Sequence, residues 1–113
     1  MIAKERIEPF KIITGTKSTS VILNVGEYKS EIFAERESDG FEGNGYDWGS
    51  LAAVFLEERL PELKADIHFD PEGSMFCAYS SNVQAIEQFA MAFRAMCEDA
   101  AQMRELLSRA ELD

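Results

Sequence analysis

The sequence predicts an α+β fold: a small antiparallel sheet of about four to five strands, packed by a short central helix and a long C-terminal helix. Two observations carry this prediction. Two pairs of short β-branched or aromatic segments are each joined by turn residues, and the last third of the chain repeats apolar residues every three or four positions. Because 113 residues are the length of one ordinary domain, we treat residues 1–113 as a single domain.

The four predicted strands form two hairpins. Phe10–Thr14 and Ser20–Val25 are rich in β-branched residues and are separated by a short polar segment. Ile67–Phe69 and Met75–Tyr79 flank an Asp-Pro-Glu-Gly sequence, in which proline presets one turn dihedral and glycine tolerates a positive one. Each pair therefore predicts two antiparallel strands.

A short helix is predicted between the hairpins, from about Ser50 to Leu60. Its apolar residues fall near helical spacing, Asp47 is a candidate N-cap, and Pro61 stands where the helix should end. The segment Gly26–Ser38 fits neither the helical nor the strand period cleanly, and we interpret it as extended, with a short helix as the alternative.

The C-terminal helix is predicted from Asn82 onward, where the chain lacks glycine and proline and Asn82 can cap the helix. One helix of about 30 residues would be about 45 Å long, which exceeds the diameter of a small domain. The helix is therefore either continuous or bent near Cys97–Asp99, with Asp99 capping a second segment. The aromatic and methionine residues of its apolar stripe are expected in the core.

The chain is strongly acidic, with 11 Lys and Arg against 21 Asp and Glu and a net charge of −10. This charge disfavours nucleic acid and anionic membranes as direct partners and favours a basic protein. Half of the net charge lies in residues 27–47, which hold seven acids and two bases. The N-terminus does not resemble a signal peptide, no segment is apolar enough to cross a membrane, and the two cysteines form no CxxC pair. We therefore expect a cytoplasmic protein with free thiols that are buried.

The most unusual segment is Gly40–Gly49, which holds four of the seven glycines and the only tryptophan. On one interpretation Trp48 and Asp47 fix the loop to the core and the following helix; on the other, Tyr46 and nearby acids form a recognition surface. A phosphate site is disfavoured because no lysine accompanies the glycines, and the acids do not have the spacing of an EF-hand. No catalytic or metal-binding signature is present, and the single histidine, His68, has no neighbouring ligand.

The run Phe-Glu-Gly-Asn-Gly-Tyr-Asp-Trp at 41–48, followed by Ser-Leu-Ala at 50–52, resembles the signature of immunity protein 51, a family of the bacterial polymorphic-toxin systems. The resemblance implies a small cytoplasmic α+β protein without enzymatic activity. Such a protein binds a cognate toxin domain and protects the producing cell from contact-delivered toxin. The residues that match the family pattern are Gly43, Asn44, Gly45, Tyr46, Asp47 and Trp48.

We expect the partner to be a basic toxin, in particular a nuclease, because nucleases must hold phosphates. No cofactor, metal or catalytic residue is expected. The candidate partner-binding residues are Glu35, Glu37, Asp39, Glu42, Asn44, Tyr46 and Asp47, and the candidate structural residues are Gly43, Gly45 and Trp48. Two alternatives stay open: a homodimeric interaction module that uses the long helix, and a small enzyme that uses Asp47 and His68.

Overall fold

A four-stranded antiparallel sheet forms one layer of the structure, a computed structural model that describes residues 7–111. The order across the sheet is β1-β2-β4-β3, so the two hairpins meet through β2 and β4. Both predicted hairpins and the α+β class are confirmed. The strands are β1 (Lys11–Thr14), β2 (Thr19–Asn24), β3 (His68–Phe69) and β4 (Met75–Ser80).

The helices form the second layer. They are α1 (Ser30–Ala34), α2 (Gly45–Arg59), α3 (Val83–Cys97) and α4 (Ala100–Leu107), with short 3-10 turns at Glu37–Asp39 and Pro61–Leu63. The Asn82 side chain caps α3 by accepting the Ala85 N–H, and Asp99 caps α4 by accepting the Gln102 N–H. The C-terminal segment is therefore two helices, and the chain turns between them at residues 98–99.

Two local predictions were wrong. Residues 26–38 contain α1 and a 3-10 turn instead of extended chain, because the consecutive residues Ile32 and Phe33 are both buried, whereas a strand would point them to opposite faces. Helix α2 begins at Gly45, five residues before the predicted Ser50, and its N-cap is Asn44 instead of Asp47. Its predicted end before Pro61 is confirmed.

The sheet has one buried face and one open face. Side chains alternate along β2 and β4, so Val21, Leu23 and Phe76 are buried, and Phe76 meets Phe93 of α3 with ring centroids 5.7 Å apart. The alternate residues of the same strands, such as Ile22 and Tyr79, point away from the helices and stay partly exposed. The helices therefore cover only one side of the sheet.

Candidate functional site

The start of α2 is held by hydrogen bonds to the side chains of Asn44 and Asp47. The side-chain Oδ1 of Asn44 accepts the Asp47 N–H at 2.9 Å. The buried Asp47 carboxylate in turn accepts the N–H groups of Glu42 at 2.6 Å and Gly43 at 2.8 Å. Since these bonds satisfy backbone donors that precede the helix, Asp47 fixes the loop to the first turn of α2.

Gly45 lets this helix start approach the β3–β4 turn. Its N–H donates to the Gly73 carbonyl oxygen at 3.0 Å. A Cβ at residue 45 would lie 1.8 Å from the Glu72 carbonyl oxygen and 2.4 Å from that of Met75. Only glycine fits at this position, and the turn and the helix start form one unit.

Trp48 anchors the same turn of helix in the aromatic core. It is 1% exposed, and its ring lies 5.1 Å from that of Phe33 and 6.0 Å from those of Phe10, Tyr28 and Phe93. Gly43, with φ of 77°, turns the chain directly beside Phe33. The residues predicted to be structural, Gly43, Gly45 and Trp48, are all buried.

Tyr46 differs from its neighbours because its side chain points to solvent, with 42% of the residue exposed. It lies over the β3–β4 turn, where a Cβ at Gly73 would be 4.0 Å from its ring. Glu42, on the loop that leads into α2, and Glu72, on the β3–β4 turn, are both exposed. We call Glu42, Tyr46 and Glu72 the Tyr46 patch.

The acids of the predicted recognition surface have unequal environments. Glu35 accepts three hydrogen bonds from Arg104, with the shortest to each carboxylate oxygen at 2.9 Å, and this contact lowers the pKa of the Glu35 carboxyl. Asp39 is held by Arg36 at 3.1 Å. Glu37 and Glu42, by contrast, form no ion pair with the described residues, 7–111.

Arg36 connects residues 35–41 to helix α4. Its guanidinium lies 4.5 Å from the centre of the buried Phe41 ring and donates to the carbonyl oxygen of Leu107 at the end of α4. Together with the Glu35–Arg104 pair, this contact fastens residues 35–41 to α4.

Sequence reasoning missed Glu72 as a neighbour of Tyr46. The sequence predicted the turn that contains Glu72, but the two residues are 26 positions apart and only the contact between α2 and the turn brings them together. No local pattern in the sequence carries that information.

A comparison with protein-family models identifies the family of this chain. The family model described as Immunity protein 51 matches residues 10–112. The chain belongs to the immunity protein 51 family. The resemblance read from residues 41–52 is thereby confirmed at the level of the family. Searches of curated proteins and of solved structures found no significant match.

In this family member, Asp47 and His68 do not form a joint site. Asp47 is buried on the helical side and binds backbone N–H groups, whereas His68 is exposed on β3 and lies against Tyr79, with ring centroids 5.3 Å apart. Among residues 7–111, no three His, Cys, Asp or Glu side chains are grouped as a metal site. No helix in the described part is long and apolar enough to span a bilayer.

The two thiols of this immunity protein are free but not equally buried. Cys97 is buried as predicted, and burial raises the pKa of its thiol. Cys77 is only half-buried, because β4 points it to the open face of the sheet. Burial and the nearby Asp70 raise the pKa of Cys77 despite a hydrogen bond with Ser20, so this thiol is not activated as a nucleophile.

The first testable prediction concerns Asp47. Replacing it with alanine leaves the Glu42 and Gly43 N–H groups without their acceptor, and we expect the free energy of unfolding to fall by about 2–4 kcal/mol. Asp47→Asn keeps an amide oxygen as acceptor and should lose about half as much. Urea denaturation followed by circular dichroism measures both changes.

The matched control is Asp39→Ala, which removes an exposed carboxylate from an ion pair of the same loop. Its cost should stay below about 1 kcal/mol. Equal losses for Asp39→Ala and Asp47→Ala would contradict the structural role assigned to Asp47.

Proposed function

We propose that this chain binds and neutralises a cognate toxin domain, protecting the cell that produces it, and that the Tyr46 patch contacts the toxin. One observation carries the proposal for the surface. Tyr46 is 42% exposed, whereas Gly45, Asp47 and Trp48 around it are buried. Packing therefore accounts for its neighbours but not for an exposed aromatic ring, and tyrosine is a frequent anchor of interfaces.

The charge distribution supports a basic partner. Each arginine of the described part, residues 7–111, lies within 4 Å of a carboxylate: Arg36, Arg59, Arg94, Arg104 and Arg109. These pairs neutralise acids on the helices, whereas Glu42 and Glu72 form no ion pair with described residues. The Tyr46 patch therefore keeps its negative charge and would attract a positively charged surface.

A nuclease toxin fits this chemistry, because its active cleft must be positive to hold phosphates. Carboxylates of Glu37 and Glu42 placed at the cleft would occupy the positions of backbone phosphates, and Tyr46 would supply the apolar anchor. Long-range attraction between the acidic chain and the basic toxin would speed capture in the cytoplasm, where we propose the chain acts.

We further divide the predicted partner-binding residues by role. Asn44 and Asp47 hold the backbone of this surface in place through the hydrogen bonds at the start of α2. Glu35 forms an ion pair with Arg104, and Asp39 forms one with Arg36. We assign direct contact to Glu37, Glu42, Tyr46 and Glu72. The toxin-binding surface thus combines the predicted loop with the β3–β4 turn.

The direct test is co-expression of this chain with the candidate toxin domain encoded beside it. We expect cell survival and co-purification of a stable complex, whereas an unrelated acidic immunity protein should give neither. Killing of the cells with no co-purification would refute the pairing with that toxin.

A second prediction tests the surface within such a complex. Tyr46→Ala should raise the dissociation constant at least about 30-fold, the loss expected of an interface anchor. The double change Glu42→Gln/Glu72→Gln should slow association about tenfold at low salt and flatten its salt dependence. Surface plasmon resonance at several salt concentrations measures both effects.

The control is Glu62→Gln/Glu111→Gln, which removes the same charge from exposed sites on other segments. It should change the association rate less than twofold. If the control slows association as much as the patch variant does, the association rate depends only on the electrostatic field of the whole chain, and the Tyr46 patch is not the interface.

A further inference from the structure

The face of the sheet that the helices leave uncovered carries apolar, polar and charged side chains. Strand register places its side chains in rows across the four strands. One row is Lys11, Ile22, Cys77 and Asp70; the next is Ile13, Ser20, Tyr79 and His68. Ile13 is 52% exposed, and Ile22, Cys77 and Tyr79 are partly exposed and lie outside the core.

The charges of this face stand at its two edges. Lys11 lies on the edge strand β1, and Asp70, whose N–H donates to the Cys77 carbonyl oxygen, follows β3 at the opposite edge. Both belong to the same row, three strands apart, or about 14 Å at the usual strand spacing. Neither forms an ion pair with the described residues.

We propose that this face binds a second copy of the chain, related by a two-fold axis parallel to the strands. Such an axis turns the second sheet over, so that β1 of one protomer lies above β3 of the other within the same row. Lys11 then faces the partner's Asp70, and symmetry creates the same pair again at the other edge. Between the two pairs, Ile22 packs against the partner's Cys77.

The distances suit this arrangement. Sheets that pack face to face lie about 10 Å apart, a gap that the four-carbon stem of lysine and the shorter aspartate side chain can bridge together. Opposite charges at the edges set the register, while the apolar residues between them exclude water. The mixed face is thus self-complementary, as an isologous interface must be.

The charge of the whole chain also favours this face for self-association. At a net charge of −10, two copies repel each other through most of their surface. The two outer-face rows carry one lysine and one aspartate, and the adjoining row of Asn24, Met75 and Glu72 adds one acid, so this face carries far less charge than the chain as a whole. The face measures about 19 by 20 Å, or about 380 Å² per copy, which is about half the size usual for a stable interface, so we expect a weak, transient dimer with a dissociation constant of about 100 μM.

This proposal does not depend on the toxin. Tyr46 lies at the start of α2 in the helical layer, whereas the dimer uses the open side of the sheet, and the two surfaces adjoin at the β3–β4 turn, where Glu72 is two residues from Asp70. If the chain fails to bind the tested toxin, the dimer proposal still stands. If the chain proves to be a monomer, the toxin proposal still stands.

Sedimentation equilibrium of the purified chain from about 1 μM to about 1 mM tests self-association. The mass should rise from 12.7 kDa toward twice that value. A monomer at every concentration would overturn the proposal.

Charge reversal tests the register. Asp70→Lys should weaken the dimer at least tenfold, although it changes the net charge from −10 to −8 and so reduces general repulsion. Lys11→Glu/Asp70→Lys should restore the affinity to within about threefold, because the pair is re-formed with the charges exchanged. The control, Glu62→Lys, makes the same charge change outside the sheet and should not weaken the dimer.

Unchanged association of Asp70→Lys, or no recovery in the double variant, would show that copies meet elsewhere and would refute the proposed interface. Maleimide labelling of Cys77 gives a second readout, since Cys97 is buried. Labelling should slow as the protein concentration rises. Fast labelling at all concentrations, with protection only when toxin is added, would assign the face to the toxin and overturn the dimer.

Discussion

Replacing Gly45 with alanine should destabilise the fold by about 3 kcal/mol or more, although alanine is the better helix former. The added Cβ would lie 1.8 Å from the Glu72 carbonyl oxygen, and both atoms belong to backbone that cannot rotate away. The start of α2 must then separate from the β3–β4 turn, and the bond between the Gly45 N–H and the Gly73 carbonyl is lost. The free energy of unfolding, from urea denaturation, measures the effect.

Gly49→Ala is the matched control, one turn later in the same helix. Its Cβ would meet only the Pro71 side chain at 3.3 Å, so the gain in helix propensity offsets the tighter contact. We expect a change within about 1 kcal/mol. If Gly45→Ala were as stable as the parent or more stable, the close approach of helix and turn described above would be wrong.

Replacing Trp48 with alanine should cost about 3–5 kcal/mol, a large part of the stability of a small domain. The fully buried indole contacts aromatic rings from three separate segments, Phe10, Phe33 and Phe93, so its removal leaves a cavity that no single segment can fill. Unfolding should be followed by far-ultraviolet circular dichroism, because Trp48 is the only tryptophan.

Trp48→Phe keeps an aromatic ring at this position and should lose clearly less than the alanine variant. Val83→Ala, at an exposed residue of α3, is the control for loss of apolar surface outside the core, and it should change stability by less than about 0.5 kcal/mol. A loss for Trp48→Ala no larger than that for Val83→Ala would contradict its role as the core anchor.

The fold could be predicted where one physical signal dominated. The apolar periodicity after Asn82 and the turn residues of the two hairpins indicated a helical C-terminal segment and the four strands, while the division of that segment into α3 and α4 was left open. The start of α2 was misplaced because Gly45 and Gly49 oppose helix formation locally, and the Asn44 cap, the buried Trp48 and the contact with the β3–β4 turn together overcome this preference. At α1, Ile32 and Phe33 are too few to define a period.

The candidate site was predicted as a segment with Gly43, Gly45 and Trp48 as structural residues, but the division of roles between Asp47 and Tyr46 was left open. The sequence placed Asp47 and Tyr46 together, and nothing in the local pattern says that one carboxylate turns inward to backbone N–H groups while the ring beside it turns outward. That division follows from the position of each residue on the first turn of α2. Glu72 joins the patch through the contact between α2 and the β3–β4 turn, which lie far apart in the chain.

The contact between α2 and the β3–β4 turn uses backbone atoms on the side of the turn: the carbonyl groups of Glu72, Gly73 and Met75. The side chain at residue 72 can therefore be replaced without loss of the contact between α2 and the turn. If Glu72 contacts the toxin as proposed, the chemistry of the contact surface can change at this turn while the scaffold keeps its stability. Substitutions at residue 72 should therefore separate binding specificity from folding.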